Sequence, residues 1–132
     1  MAVDPIVVQA DAPLADAAAL IDRHKVSGLP VVDHAGSLVG VISQTDLMRA
    51  RATEYLWQNW PGLAVRHLMS TPPVTVHRST PITEAARTME RRGIHRLVVV
   101  ADHDEQLPIG VLSVSDIVRS VAGDGGGEVP HG

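Results

Sequence analysis

The chain has 132 residues, of which 45% are hydrophobic and 20% charged, with a net charge of -4. That suffices for one ordinary domain or two very small ones and is too apolar for a disordered chain. The lack of cysteine excludes disulfides, thiolate catalysis and cysteine-ligated zinc, and the acidic balance argues against non-specific binding to a nucleic-acid backbone. No apolar run reaches the roughly 18 residues of a membrane helix, so a soluble, cytoplasmic globular protein is expected.

Taken in chain order, a short apolar strand is predicted over residues 6–8, followed by Pro13, placed where the first turn of a helix tolerates proline. Leu14, Ala17, Ala18 and Ile21 then recur at helical spacing. Strands are expected over 29–32 and 38–42, joined by a hairpin turn at 33–36, with a second helix after Ser43 carrying Leu47 and Met48. Residues 51–64 read as a linker that ends in the turn signal Pro61-Gly62. It holds Tyr55, Trp57 and Trp60, the only aromatic residues of the chain. They suit either a cap packed on the domain or an exposed protein-contact patch, where such residues are enriched.

After the amphipathic lead-in at 65–70 the same order returns. A strand is expected over 74–76, then Pro81, then a helix with Ile82, Ala85, Ala86 and Met89 on one face. Strands over 97–100 and 109–112 follow, and a helix after Ser113 carries Ile117 and Val118. The glycine-rich tail at 123–132 is expected to be disordered. Because the first copy has no lead-in of its own, its start reads as clipped.

The recurrence is an internal repeat. Residues 5–32 lie over 73–100 without a gap, and Pro5, Val8, Pro13, Ala17, Ala18, Arg23, Leu29, Val31 and Val32 meet identical residues. Beyond a hairpin loop two residues longer in the second copy, Gly40, Val41, Ser43, Asp46 and Arg49 meet Gly110, Val111, Ser113, Asp116 and Arg119. The expected organisation is a first copy at 3–50, a linker at 51–64, a second copy at 65–122 and a tail at 123–132. The fold class is α/β, built as β-α-β-β-α twice.

The chemistry-bearing residues sit where a strand runs into a helix, as Gly40-Val41-Ile42-Ser43-Gln44-Thr45-Asp46 and again as Gly110-Val111-Leu112-Ser113-Val114-Ser115-Asp116. Glycine permits close approach of a ligand or another backbone. Hydroxyls at a helix start favour an anion, and a carboxylate three residues on can accept two hydrogen bonds from a vicinal diol. The same Ser-x-x-Asp spacing also makes a capping box, and the two roles are compatible. His95-Arg96 leads into a strand and offers cationic donors suited to phosphate, or else marks a partly exposed strand edge. The first copy has Ser27-Gly28 there, so the copies are expected to differ as ligand sites. Ser113, His95 and Asp116 can be drawn as a triad, but no nucleophile elbow is present, so catalysis is not expected. The other histidines show no metal-ligand spacing.

Ser27-Gly28-Leu29-Pro30-Val31-Val32-Asp33 followed by Gly40 to Asp46 resembles a cystathionine-β-synthase (CBS) domain. Ile94 to Val100 and Gly110 to Asp116 are similar to the CBS repeats of the AMP-activated protein kinase gamma subunit. Leu68-Met69-Ser70-Thr71-Pro72 fits the family's usual opening. The resemblance implies a tandem pair, or Bateman module, with sheets packed about a pseudo-two-fold axis, helices outside, and two clefts for adenosine ligands. Asp46 and Asp116 would hold ribose hydroxyls. Ser43, Thr45, Ser113 and Ser115 would lie near phosphate, as would His95 and Arg96, with Val41 and Val111 beside the base. Ile6 would serve the Asp116 cleft and Val74 the Asp46 cleft. The implied function is a regulatory adenine-nucleotide sensor, with AMP favoured over ADP and ATP, homodimeric and coupled to an unidentified partner protein or fused domain. The alternative is a ligand-free pair that serves as a dimerisation or docking scaffold.

Overall fold

The computed structural model of the chain describes residues 6–53 and 62–124. Its elements are β1 (Val8–Gln9), α1 (Leu14–His24), β2 (Gly28–Val32), β3 (Leu38–Ser43) and α2 (Gln44–Ala52), then β4 (Thr75–His77), α3 (Ile82–Arg92), β5 (Arg96–Ala101), β6 (Asp104–Ser113) and α4 (Val114–Arg119). The predicted α/β repeat is therefore present, with two three-stranded sheets ordered β1-β2-β3 and β4-β5-β6. In each sheet the first strand runs parallel to the second, across an intervening helix, and the second pairs antiparallel with the third. Residues 54–61, which hold the linker's tyrosine and tryptophans, lie outside the described residues, as does most of the tail. Among the described residues no helix is long and apolar enough to cross a membrane.

The chain divides into two compact units at Pro73/Val74. In the first, Leu14, Ala17 and Ile21 of the predicted α1 stripe pack with Val8, Leu29, Val31 and Ile42, whereas Ala18, expected on the same stripe, is exposed. In the second, Ala85 and Met89 of α3 pack with Val76, Leu97, Val99 and Leu112. Strand alternation explains the choice, since i and i+2 residues share a sheet face. The intervening Val98 and Val100 are also fully buried, so β5 is apolar on both faces.

Several predicted boundaries shift for local reasons. β1 starts two residues later than expected, because parallel pairing begins at Val8 with Val31 and Gln9 with Val32. Ile6 instead packs on the core without joining the ladder. Pro13 and Pro81 stand one place before their helices, as extended N-cap residues, rather than inside the first turn. β6 reaches back to Asp104, which pairs with Ala101 beyond two shifts of register, so the second hairpin is longer than the expected strand over 109–112. At the C-terminal side, Ser120–Asp124 form a further helical turn that includes the first residues of the tail expected to be disordered.

The lead-in at 65–70 precedes the second copy in sequence but belongs to the first unit in space. Leu14, whose amide starts α1 without a helical acceptor, donates to the Leu63 carbonyl at 2.9 Å. The Val65 and Arg66 amides donate to the Ala12 and Ala10 carbonyls at 2.8 Å each, and the Val65 side chain is fully buried. Ser70 then exchanges two backbone hydrogen bonds with Val41, at 2.9 and 3.1 Å, adding a one-residue bridge to the free edge of β3. Thr71 Oγ1 donates to the Val39 carbonyl at 2.8 Å and extends this strap along the strand.

Candidate functional site

The strap decides why residue 40 is glycine. A Cβ there would lie 2.7 Å from Met69 Sδ and 2.9 Å from the Ser70 carbonyl oxygen. Of the two approaches that glycine permits, another backbone is the one observed at Gly40. Three residues further along the strand, β3 ends at Ser43 and α2 begins, with Ser43 buried and Asp46 half-buried.

The Ser-x-x-Asp spacing forms a full capping box in both copies. Asp46 Oδ2 accepts from the Ser43 amide at 2.8 Å and from Ser43 Oγ at 2.9 Å, and the Asp46 amide donates back to Ser43 Oγ at 3.2 Å. Asp116 Oδ2 accepts from the Ser113 amide at 2.8 Å and Ser113 Oγ at 3.1 Å, with the Asp116 amide donating to Ser113 Oγ at 3.4 Å. The cap engages one oxygen of each carboxylate, Oδ2, and makes no hydrogen bond to the other, Oδ1. A cap alone consumes only half of a carboxylate's acceptor capacity, so capping and ligand binding are compatible in geometry as well as in sequence.

The remaining predicted residues are placed as follows in the two units. Val41 and Val111 are buried, two residues before their serines, while Thr45 and Ser115 are exposed in the first helical turns. Ile6 packs on the first core and Val74 on the second, and the Val74 carbonyl accepts from the Val98 amide at 3.0 Å. His95 is exposed, and its carbonyl accepts from the Val114 amide at 3.0 Å, tying the start of β5 to the start of α4. Arg96 stands opposite Ser113 in the β5–β6 register, where the first copy has Gly28 opposite Ser43. Arg96 Nε is buried without a hydrogen-bond partner among the described residues. A buried guanidinium N–H without an acceptor is costly, and an anion is the acceptor that suits it best. No group of three or more His, Asp or Glu among the described residues is placed to hold a metal ion.

Two features escaped the sequence reading. Arg49 and Arg119 stand three residues after the acids; Arg49 Nη1 lies 4.0 Å from Asp46 Oδ1, whereas Arg119 Nη1 donates to Asp116 Oδ1 at 2.9 Å. The signal was present as i,i+3 spacing of opposite charges, a pattern that places side chains together on a helix. The other feature is the strap, whose long-range pairing leaves no periodic trace.

The family model for the CBS domain matches residues 1–53 and 65–123, and the chain belongs to that family. It is 32% identical over 119 residues to the inosine-5'-monophosphate dehydrogenase of Helicobacter pylori (strain 26695), which spans 89% of this chain and 23% of the enzyme. The chain thus spans about a quarter of that relative's length. Among solved structures, CBSX2 in complex with AMP superposes with a TM-score of 0.69 at 32% identity, covering 89% of this chain and 87% of that one. CBSX2 is a chloroplastic CBS domain-containing protein of Arabidopsis thaliana. The CBS domain pair of protein MJ0100, in complex with 5'-methylthioadenosine and S-adenosyl-L-methionine, superposes with a TM-score of 0.76 at 28% identity, covering 93% and 92%.

Proposed function

We propose that the chain is a regulatory adenine-nucleotide sensor, acting in the cytoplasm by binding rather than by catalysis. The observation that carries this reading is the repeated carboxylate, fixed by a cap through Oδ2 with Oδ1 left outside the cap, at Asp46 and Asp116. Each acid suits ribose hydroxyls, and the ligands of CBSX2 and of the MJ0100 pair share an adenosine moiety. Val41 and Val111 would flank the base. Ser43, Thr45, Ser113 and Ser115 would border the phosphate, and Ile6 and Val74 would complete the walls. The unpaired Arg96 Nε, with His95 beside it in sequence, favours a phosphate-bearing ligand, AMP ahead of ADP and ATP.

Sensing requires that ligand affinity differ between two states of the assembly. Homodimerisation would supply such states, and the apolar Met48 of α2 and Val114 and Val118 of α4 are exposed and available to it. A partner protein or fused domain would read the change.

The test is a thermal-shift panel with AMP, ADP, ATP, NAD, S-adenosylmethionine and GTP on nucleotide-free protein. A ligand at about 100 times its Kd adds about 2.7 kcal/mol, a rise of several degrees for a chain of this size. The expected result is a selective rise with an adenine nucleotide, reduced in Asp46→Ala and in Asp116→Ala. A flat panel would instead assign the pair to ligand-free docking, the reading in which each acid is a cap and nothing more.

A further inference from the structure

The two acids are equal in sequence and unequal in free acceptor capacity. An ionised carboxylate offers about four lone-pair positions, two on each oxygen. In both copies Oδ2 is filled, by the amide and the hydroxyl of the capping serine. The difference lies at Oδ1. At Asp46 it accepts no hydrogen bond from the described residues, and the nearest Arg49 nitrogen stands off at 4.0 Å. At Asp116 it already accepts from Arg119 Nη1 at 2.9 Å. Both acids are sheltered to a similar degree, their side chains 15% and 21% exposed, and both arginines are 70% exposed, so solvent access does not separate the copies.

We propose that Arg119 is a specificity-determining residue that makes the two sugar sites unequal. The Asp46 site takes an intact vicinal diol through both free positions of Oδ1. The Asp116 site, with Arg119 occupying one position, takes a single hydroxyl. This inference rests on the sensor reading and deepens it: the first copy discriminates ribose from deoxyribose, and the second tolerates a sugar that lacks one hydroxyl.

The arithmetic favours a measurable effect. A hydrogen bond to a charged group contributes enough that its loss reads as about tenfold in affinity. A sugar hydroxyl can reach the occupied position only by displacing the charge-assisted hydrogen bond from Arg119. Such an exposed pair adds little to fold stability, so Arg119→Ala frees the position at small cost to the fold.

The experiment titrates AMP and 2'-deoxy-AMP into two variants that each keep one acid, Asp116→Ala and Asp46→Ala, by calorimetry. The ratio of the two affinities is the readout, because partial loss of fold lowers both alike and leaves the ratio unmoved. The Asp116→Ala protein, reading the Asp46 site, is expected to disfavour the deoxy sugar about tenfold. The Asp46→Ala protein is expected to disfavour it threefold or less. Adding Arg119→Ala to Asp46→Ala should raise discrimination to about tenfold, while adding Arg119→Lys, which keeps charge but not the planar fork, covers the case in which alanine unfolds the helix end. Equal ratios at the two sites, or a ratio unmoved by both Arg119 substitutions, overturn this inference and leave the sensor standing. Failure of the unsubstituted protein to bind AMP or 2'-deoxy-AMP overturns the sensor reading, and this inference with it.

Discussion

The two copies solve one structural problem with different chemistry. In the first, His34 at the hairpin tip contacts Asp11 before α1, with Nε2 and Oδ2 at 2.7 Å. In the second, Asp102 at the hairpin accepts from the amide and hydroxyl of Ser79 before α3, both at 3.0 Å. Both links span 23 residues and join the equivalent loops, yet the acid stands on opposite sides. The first strand of each sheet lies beside the second, so the loop after one always meets the hairpin after the other. Topology therefore demands a contact there, and any complementary donor and acceptor satisfies it. Helix ends show the same freedom: α1 closes with Lys25 at φ 55°, α3 with Gly93 at φ 63°. At the candidate site the freedom acquires consequences, with Gly28 facing Ser43 in one copy and Arg96 facing Ser113 in the other.

The largest expected break in this comparison is Gly40→Ala. The Ser70 carbonyl that its Cβ would meet at 2.9 Å is backbone, hydrogen-bonded to the Val41 amide, and cannot swing aside as the Met69 side chain can. Urea denaturation should show a loss of about 1–3 kcal/mol, the usual cost of overpacking. A wild-type midpoint would mean that the strap does not seat on β3 as described.

A smaller effect should come from exchanging the helix-end residues. Lys25→Gly relieves a left-handed conformation that costs a side-chain residue about 1–2 kcal/mol, offset in part by glycine's entropy in the unfolded chain. A net gain of about 0.5 kcal/mol is expected, against a loss of about 1 kcal/mol for Gly93→Ala. Opposite signs in thermal unfolding would sharpen the equivalence of the two positions; equal signs would break it.

The smallest effect concerns the loop links. The Ser79 amide, then its hydroxyl, hold the Asp102 carboxyl below the usual carboxylate value, with His77 and Arg78 adding to the shift. A carboxyl depressed in the folded state adds stability above its unfolded value, about 3.9, and that contribution fades as pH falls through the folded value. Asp102→Ala should therefore be slightly less stable than wild type at neutral pH, with the gap closing in acid. A gap independent of pH would show that the carboxylate's charge plays no part in the link.

Much of this is legible in the sequence. The α1 and α3 stripes, both hairpins and the two Ser-x-x-Asp corners all follow from spacing, because local geometry fixes which residues share a face and which amide a serine can cap. Leu14, Ala17 and Ile21 fall in the core for that reason. Edges were less legible: β1 begins at Val8 rather than residue 6 because its register depends on β2, distant in sequence.

By itself the sequence determined the repeat, the strand and helix order and the identity of the acids, since each is a matter of local pattern or self-similarity. Only tertiary structure decided the ownership of the lead-in, which sits with the second copy in sequence and bonds to the first. Backbone pairing across the free edge of β3 has no side-chain signature, so it is invisible to spacing. The contrast between an Asp46 Oδ1 that stands 4.0 Å from Arg49 and an Asp116 Oδ1 bonded to Arg119 was decided there too. Identical Asp-x-x-Arg spacing allows both geometries, and a difference of about an ångström in an exposed arginine separates a hydrogen bond from an open acceptor.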